Sequence, residues 1–428
     1  MDTHPSRHPS LPRPIVGPIQ LSESNRLMAE AKKLVPGLTQ TMMKKPEMFA
    51  PGAFPVYLAR GQGALVEDVD GQQYIDFICG LGASSLGHNH PAVVDTIRQH
   101  LTDGLLHSLP TAWEVSAART LVEMIPGGEQ ARFFKTGADA TSAAVRLARI
   151  VTGKEHLITV GYNGWHDHFM FDTPGVPAVL AQYTQRMPLF EEPDEAALLA
   201  RIEQTGAQLA AVLLSVPFNR CLTRDFMHAL RATCTKHGVL LIQDEVITGF
   251  RLARGGAQEF FDVRADFICV SKALAAGMPL SAVVGPEKYL SRLADTQVST
   301  TFGGELLSLA VCEAVLKESA KPGFIEHLAD MGRRLATGIN TRAERVGSPL
   351  RVLGYDAIPL FRFSKNPMEN AKLTQPFQAA MARRGIILRR DLNFICSAHT
   401  PEQIDYTVDM AEESMRECLG QGSATQAA

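Results

Sequence analysis

The chain has 428 residues, 45% of them hydrophobic and 20% charged, with a formal net charge of −3. That length supports a large core and more than one domain, and the near-neutral balance gives neither nucleic acid nor an anionic membrane a reason to bind. No apolar run of about 18 residues occurs, so no transmembrane helix is expected. Seven scattered cysteines without a C-x-x-C pair argue against a zinc site or a disulfide framework and for a reducing cytoplasm.

Residues Met1 to Gly17 are rich in Pro, His and Ser and lack the apolar centre of a signal peptide, so a loose arm is expected there. Residues 63–77 read as a β-hairpin around Asp70-Gly71, a dipeptide suited to the positive φ of a tight turn. Strands then alternate with helices. Strand candidates lie at 131–135, 156–160, 210–216, 238–244, 266–271 and 281–285, with helices such as 139–152 and 224–237 between them. This alternation predicts an α/β fold with a mostly parallel central sheet covered on both faces. From about 322 a long helix begins, followed by mixed strand-like and helical pieces. The expected organisation is an N-terminal arm and part of a small domain (1–80), a large domain (81–320) and the C-terminal part of the small α+β domain (321–428). Gln421 to Ala428 read as a frayed tail.

Two strand ends carry the chemistry. The apolar run Val239-Leu240-Leu241-Ile242 ends in Asp244, and the run Phe267-Ile268-Cys269-Val270 is followed by Lys272, 28 residues beyond Asp244. In parallel α/β sheets the carboxyl ends of strands border the crevice where ligands bind. A carboxylate and an amine there suit pyridoxal phosphate (PLP). The amine forms a Schiff base with the aldehyde, and the carboxylate pairs with the ring nitrogen. Lys135-Thr136-Gly137-Ala138-Asp139 joins a strand to a helix, and a helix N-terminus offers backbone N–H groups to a phosphate. The Thr136 hydroxyl and the N–H groups of Gly137 and Ala138 are the candidate donors, with Asp139 a helix-start residue. Gly87-His88-Asn89-His90-Pro91 offers only two histidines, without a carboxylate or cysteine pattern, so no metal is expected there.

The segments Asp244-Glu245-Val246-Ile247-Thr248-Gly249-Phe250-Arg251, Gly255-Gly256-Ala257-Gln258-Glu259-Phe260-Phe261 and Ser271-Lys272-Ala273-Leu274-Ala275-Ala276-Gly277 resemble the class-III aminotransferases of PLP fold type I. The branch they resemble is the one containing glutamate-1-semialdehyde 2,1-aminomutase. The resemblance runs from about Val35 through most of the chain. It implies that Lys272 holds PLP and shuttles the proton, that Asp244 keeps the pyridine nitrogen protonated, and that Val246 presses on one ring face. Tyr162, at the family's aromatic position in a Tyr-His-Gly turn, would stack on the ring; Asn163 replaces the usual His. Ala138 stands where a second hydroxyl residue is usual. The Ser299-to-Glu305 segment resembles one that reaches a neighbouring subunit, where Thr301 would donate to the partner's cofactor phosphate. A homodimer is therefore implied.

The resemblance also separates two reactions. In the aminomutases a glutamate precedes the Ser-x-Ala-His-Thr-like segment; Leu392 stands there in this chain. Leu81 lies where an aromatic residue often borders the substrate, and Ser215 departs from a usual Glu-Pro. Arg389 and Arg390 are candidates to clamp a substrate carboxylate, against the alternative of a solvent-facing basic turn. The expected activity is an aminotransferase moving an amino group between a small-molecule amino donor and a keto acceptor. An aminomutase or another PLP isomerase or racemase is the alternative. A non-catalytic scaffold would require loss of Lys272 or Asp244, and both are present.

Overall fold

A computed structural model describes residues 10–425, with side chains through residue 420. The first nine residues of the expected loose arm, and 426–428 of the expected frayed tail, lie outside the described residues. The chain divides into two compact units.

The larger unit comprises Gly82–Ser85 and Pro91–Glu326. Its seven-stranded sheet has the spatial order Gln130–Phe134, Ser281–Gly285, Phe267–Val270, Leu240–Asp244, Leu209–Ser215, His156–Val160, Thr184–Met187. Ser281–Gly285 runs antiparallel to both its neighbours, and the remaining pairs are parallel. The central strands Leu209–Ser215 and Leu240–Asp244 are buried almost end to end, as strands covered on both faces must be. Helix Gly137–Thr152 packs on the sheet through Ala140, Ala143, Ala144, Leu147 and Ala148. Four alanines in that stripe let its backbone approach closely. Gly153, at φ 68°, ends it in the left-handed conformation that favours glycine.

Register fixes where the chemistry falls. Ser215 pairs with Asp244, and Asp244 with Cys269. Lys272, three residues beyond Cys269, therefore leaves the sheet at the same end as Asp244 and Ser215. Among the described residues no helix is long and apolar enough to cross a membrane.

The smaller unit gathers the described residues up to Leu81 with Leu86–His90 and the chain from His327 on. It holds a four-stranded sheet of Leu58–Gln62, Leu65–Asp68, Gln73–Asp76 and Ile386–Ile387, and a separate hairpin of Arg351–Tyr355 with Ile358–Arg362. The expected hairpin spans Leu65–Asp68 and Gln73–Asp76, with a four-residue turn in which Gly71 takes φ 87°. Buried Asp68 holds that turn, accepting the N–H groups of Asp70 and Gln72 and the Tyr74 hydroxyl. Helices Phe324–Val346 and Pro401–Thr425 are laced together by Arg334–Asp405, Arg342–Asp409 and Arg345–Glu412. The last helix carries regular structure to Thr425, further into the tail than its composition suggested.

The described part of the N-terminal arm is not loose. Pro12 is buried, Arg13 pairs with Glu67 at 3.1 Å, and the Gln20 backbone N–H donates to Gln72 Oε1 at 2.9 Å. Gln403 Nε2 donates to Ser10 O at 2.6 Å. A proline-rich segment without helix or strand is thus held by long-range side-chain bonds that composition does not register.

Candidate active site

Asp244 is an anchored carboxylate at the carboxyl end of the large sheet. It is 6% exposed. Its Oδ2 accepts the Ser215 hydroxyl at 2.7 Å and the Asn163 amide at 3.0 Å, and its Oδ1 accepts the Val246 N–H at 3.1 Å. Burial raises its pKa. Ser215, Asn163, the Val246 N–H and the Lys272 charge act the other way. The carboxylate is held in one orientation by neutral donors, with a cation near enough to be felt. Neighbouring Glu245 turns away from this end. It accepts Thr248 Oγ1 and the N–H groups of Ala257 and Gln258, which caps helix Ala257–Phe261.

Lys272 opens a short 3-10 turn, Lys272–Leu274, at φ 48°. A side chain larger than glycine's rarely takes that conformation, and such a residue costs about 1–3 kcal/mol. The turn is held open at its base by Ser271, whose hydroxyl donates to Leu280 O at 2.9 Å and whose carbonyl accepts the Leu274 N–H. Ala273, Leu274 and Ala275 are buried in the core beneath it. The packing thus fixes a strained lysine at the strand end that Asp244 shares.

Helix Gly137–Thr152 starts at the same edge. Thr136 is its N-cap: its hydroxyl accepts the Asp139 N–H, and Asp139 Oδ2 accepts the Thr136 N–H at 2.8 Å. Asp139 is therefore engaged with the helix start. Ser281 Oγ donates to Thr136 O at 2.6 Å, tying the cap to the antiparallel strand. A Cβ on Gly137 would lie 2.9 Å from Val246 Cγ2, so only glycine lets the Val246 side chain rest on this backbone. Gly164, at φ 121°, backs onto Ala138 with the same economy; a Cβ there would lie 2.8 Å from that of Ala138. Behind the cap, Lys135 pairs with Glu305 at 3.1 Å.

Tyr162 sits between the strand His156–Val160 and Asn163, and the residue is 69% exposed. Its carbonyl oxygen lies 3.2 Å from the Ser215 Oγ. Burial of the hydroxyl and the Asp244 charge raise its pKa. Thr301 is exposed in a turn. The structure thus brings Asp244, Lys272, Val246, Gly137 and Tyr162 to one unit.

Leu81, Arg389 and Arg390 belong to the smaller unit. Leu81 lies in a left-handed turn at φ 61°. Arg389 is not the solvent-facing residue that a basic turn would supply. It is 5% exposed and its Nη2 pairs with Asp391 at 2.7 Å. Arg390 Nη2 lies 3.3 Å from Met48 Sδ. His88 pairs with Asp76 at 2.9 Å, and Asp76 also accepts the N–H groups of Ile78 and Cys79, so this loop is built around a carboxylate.

Sequence reading did not find the parts played by Asn163 and Ser215. Both stood out only as departures from a family pattern. The usable signal was register: Ser215 ends the strand beside Asp244, and Asn163 follows the next strand by three residues.

These residues fit a phosphate-bearing pyridine aldehyde. An anchored carboxylate suits a ring nitrogen, a lysine suits an aldehyde, and a glycine-opened helix N-terminus suits a phosphate. Residues 48–397 match the family model of class-III aminotransferases, and the chain belongs to that family, whose cofactor is pyridoxal phosphate. Over 421 residues it is 32% identical to the glutamate-1-semialdehyde 2,1-aminomutase of Syntrophobacter fumaroxidans, covering 91% of this chain and 96% of that one. Over 410 residues it is 31% identical to the 3-aminobutyryl-CoA aminotransferase of Cloacimonas acidaminovorans, covering 93% and 98%. In fold it resembles the FumI protein of Sphingopyxis sp. MTA144, at a TM-score of 0.87 and 24% identity over 93% of this chain and 97% of that one. The fold is PLP fold type I.

Proposed function

We propose that the protein is a transaminase that moves an amino group from a small amino compound, an amino acid in the simplest case, to a separate keto acceptor. When bound, the cofactor's protonated ring draws electrons from the substrate carbon as its proton leaves. The chain's own residues do the rest. Lys272 Nζ would hold the aldehyde until the substrate amine takes its place, and the freed amine would then take the proton from the substrate carbon and deliver it to the cofactor carbon. Asp244, oriented by Ser215 and Asn163, keeps the ring nitrogen protonated. Val246 and Tyr162 would pack against the ring. Thr136 and the N–H groups of Gly137 and Ala138 hold the phosphate. Thr301 would complete the phosphate site of a second copy, so the working form is a homodimer. The seven unbridged thiols support residence in the reducing cytoplasm.

The observation that carries transamination over mutation is Leu392. By the resemblance it stands where the aminomutases would carry a glutamate, and it forms an isolated bridge with Leu360, one apolar residue beside another. An isobutyl group can neither hold an amine nor pass a proton. Of the two carboxylate-clamp candidates, Arg389 is already matched by Asp391, which favours Arg390 for a substrate carboxylate. The second reading is an aminomutase, favoured by the name of the Syntrophobacter relative. Labelled donor nitrogen, followed into a separate acceptor, tests the choice.

A further inference from the structure

We propose that Cys79 and Cys396 form a reversible oxidation site in the smaller unit, a thiol pair that peroxide converts to a disulfide. The ligand atoms of Cys79, Cys396 and His399 lie within 4.8 Å of one another, and all three residues are buried. They come from distant parts of the chain. Cys79 follows the strand Gln73–Asp76, and Cys396 and His399 precede the helix Pro401–Thr425.

The cluster is built rather than incidental. Asp76 Oδ1 accepts the Cys79 N–H at 3.0 Å, and the Cys79 sulfur lies 3.2 Å from Asp76 O. Cys79 takes φ 46°, and Gly80 and Leu81 continue the left-handed turn. That turn aims the thiol at the second segment, where Phe394 O lies 3.5 Å from its sulfur. On the other side, His399 Nδ1 lies 3.2 Å from Cys396 Sγ, and its ring stacks on Phe77 at 4.7 Å. The Cys79 thiol holds the Cys396 thiol well below the usual range by hydrogen bonding, against burial.

Sulfur chemistry suits these atoms better than a metal. A structural zinc needs four ligands. Here the ring nitrogen facing Cys396 already accepts the Cys396 N–H at 3.0 Å, and the nearby Asp76 carboxylate is taken by Ile78, Cys79 and His88. That leaves two sulfurs, which must close to about 2.05 Å to bond.

The oxidant is a peroxide. The Cys396 thiolate attacks one peroxide oxygen and the O–O bond breaks, giving a sulfenic acid and hydroxide. The Cys79 sulfur, giving up its proton, then attacks the sulfenic sulfur and the S–O bond breaks, releasing water. Two thiols and one hydrogen peroxide become one disulfide and two waters. The bond would tie the turn that carries Leu81 to the segment that follows Leu392.

The test uses the reduced, cofactor-loaded protein, treated with hydrogen peroxide, alkylated and mapped by mass spectrometry. The expected result is a peptide joining Cys79 to Cys396, two hydrogens lighter than the reduced pair and restored by dithiothreitol. Cys79→Ser should leave a sulfenic acid on Cys396 that dimedone traps, and Cys396→Ser should leave Cys79 reduced. The proposal is overturned if both thiols remain alkylatable after exposed Cys221 has oxidised. It is also overturned if the reduced protein takes up one added zinc ion per chain that shields both cysteines. The peptide map of the unaltered protein decides even if a variant does not fold, and it does not depend on which amino-group reaction the enzyme performs.

Discussion

Ser215 and Asp244 are cross-strand neighbours, and the Ser215 hydroxyl donates to Asp244 Oδ2 at 2.7 Å. Asn163 reaches the same oxygen at 3.0 Å from the loop after the adjoining strand. Two neutral donors on one carboxylate oxygen orient it without cancelling its charge, which is what a partner for a protonated ring nitrogen requires.

The first prediction concerns that pair. A hydrogen bond to a charged acceptor contributes about 1.5–3 kcal/mol, so losing one should slow turnover about 10- to 100-fold if it is felt fully in the rate-limiting step. Ser215→Ala should lower kcat while cofactor content stays near that of the unaltered protein. Asp244→Asn should lower it much further. Unchanged kcat in Ser215→Ala, with unchanged absorbance of the bound cofactor, would make the hydroxyl a packing detail.

Lys272 supports a second prediction. Borohydride should fix the cofactor covalently to Lys272 and to no other lysine, as peptide mapping will show. Lys272→Ala should still bind the cofactor, because phosphate and ring contacts remain, but should not turn over.

How much of this was legible beforehand divides along physical lines. Asp244 and Lys272 were visible because each closes a strand too apolar for water, and strand ends are local features. Val246 and Gly137 were visible through motif position, but their mutual contact was not, since it joins residues 109 positions apart. Ser215 and Asn163 became intelligible only with the strand order, because their partner lies across the sheet. The Arg389–Asp391 pair was within reach of the sequence, two residues apart, yet burial turned the basic turn inward. The arm around Pro12 and Arg13 misled because composition reports nothing about a distant Glu67 or Gln403.

The Gly137–Val246 contact gives a third prediction. Gly137 has no positive φ, so Gly137→Ala adds only bulk, placing a Cβ 2.9 Å from Val246 Cγ2. Overpacking of this kind costs about 1–3 kcal/mol. Cofactor Kd should rise about tenfold or more. Val246→Ala in the same chain should recover part of that loss. Calorimetry on the four proteins measures the coupling, and strictly additive effects would show that the contact does not shape the phosphate site.

His168 carries the pH prediction. Burial first, then the charges of Arg149 and His166, lower its pKa from 6.5 to about 4, and its Nε2 makes no hydrogen bond. The unfolded chain therefore binds the proton more readily than the folded one. The stability that depends on neutral His168 is present above pH 6.5 and is lost as pH falls from there towards about 4. His168→Phe should flatten that part of the Tm-against-pH curve. Parallel curves for both proteins would place the acid sensitivity elsewhere.

The central claim is that the amino group leaves its donor for a different molecule. The most direct measurement supplies a candidate amino donor labelled with nitrogen-15 together with a separate keto acceptor, and follows the label by mass spectrometry. The account predicts labelled amine on the acceptor, a keto product from the donor, and no turnover beyond one equivalent when the acceptor is left out. Complete conversion of a single substrate to its positional isomer, with the label retained and no acceptor needed, would contradict it.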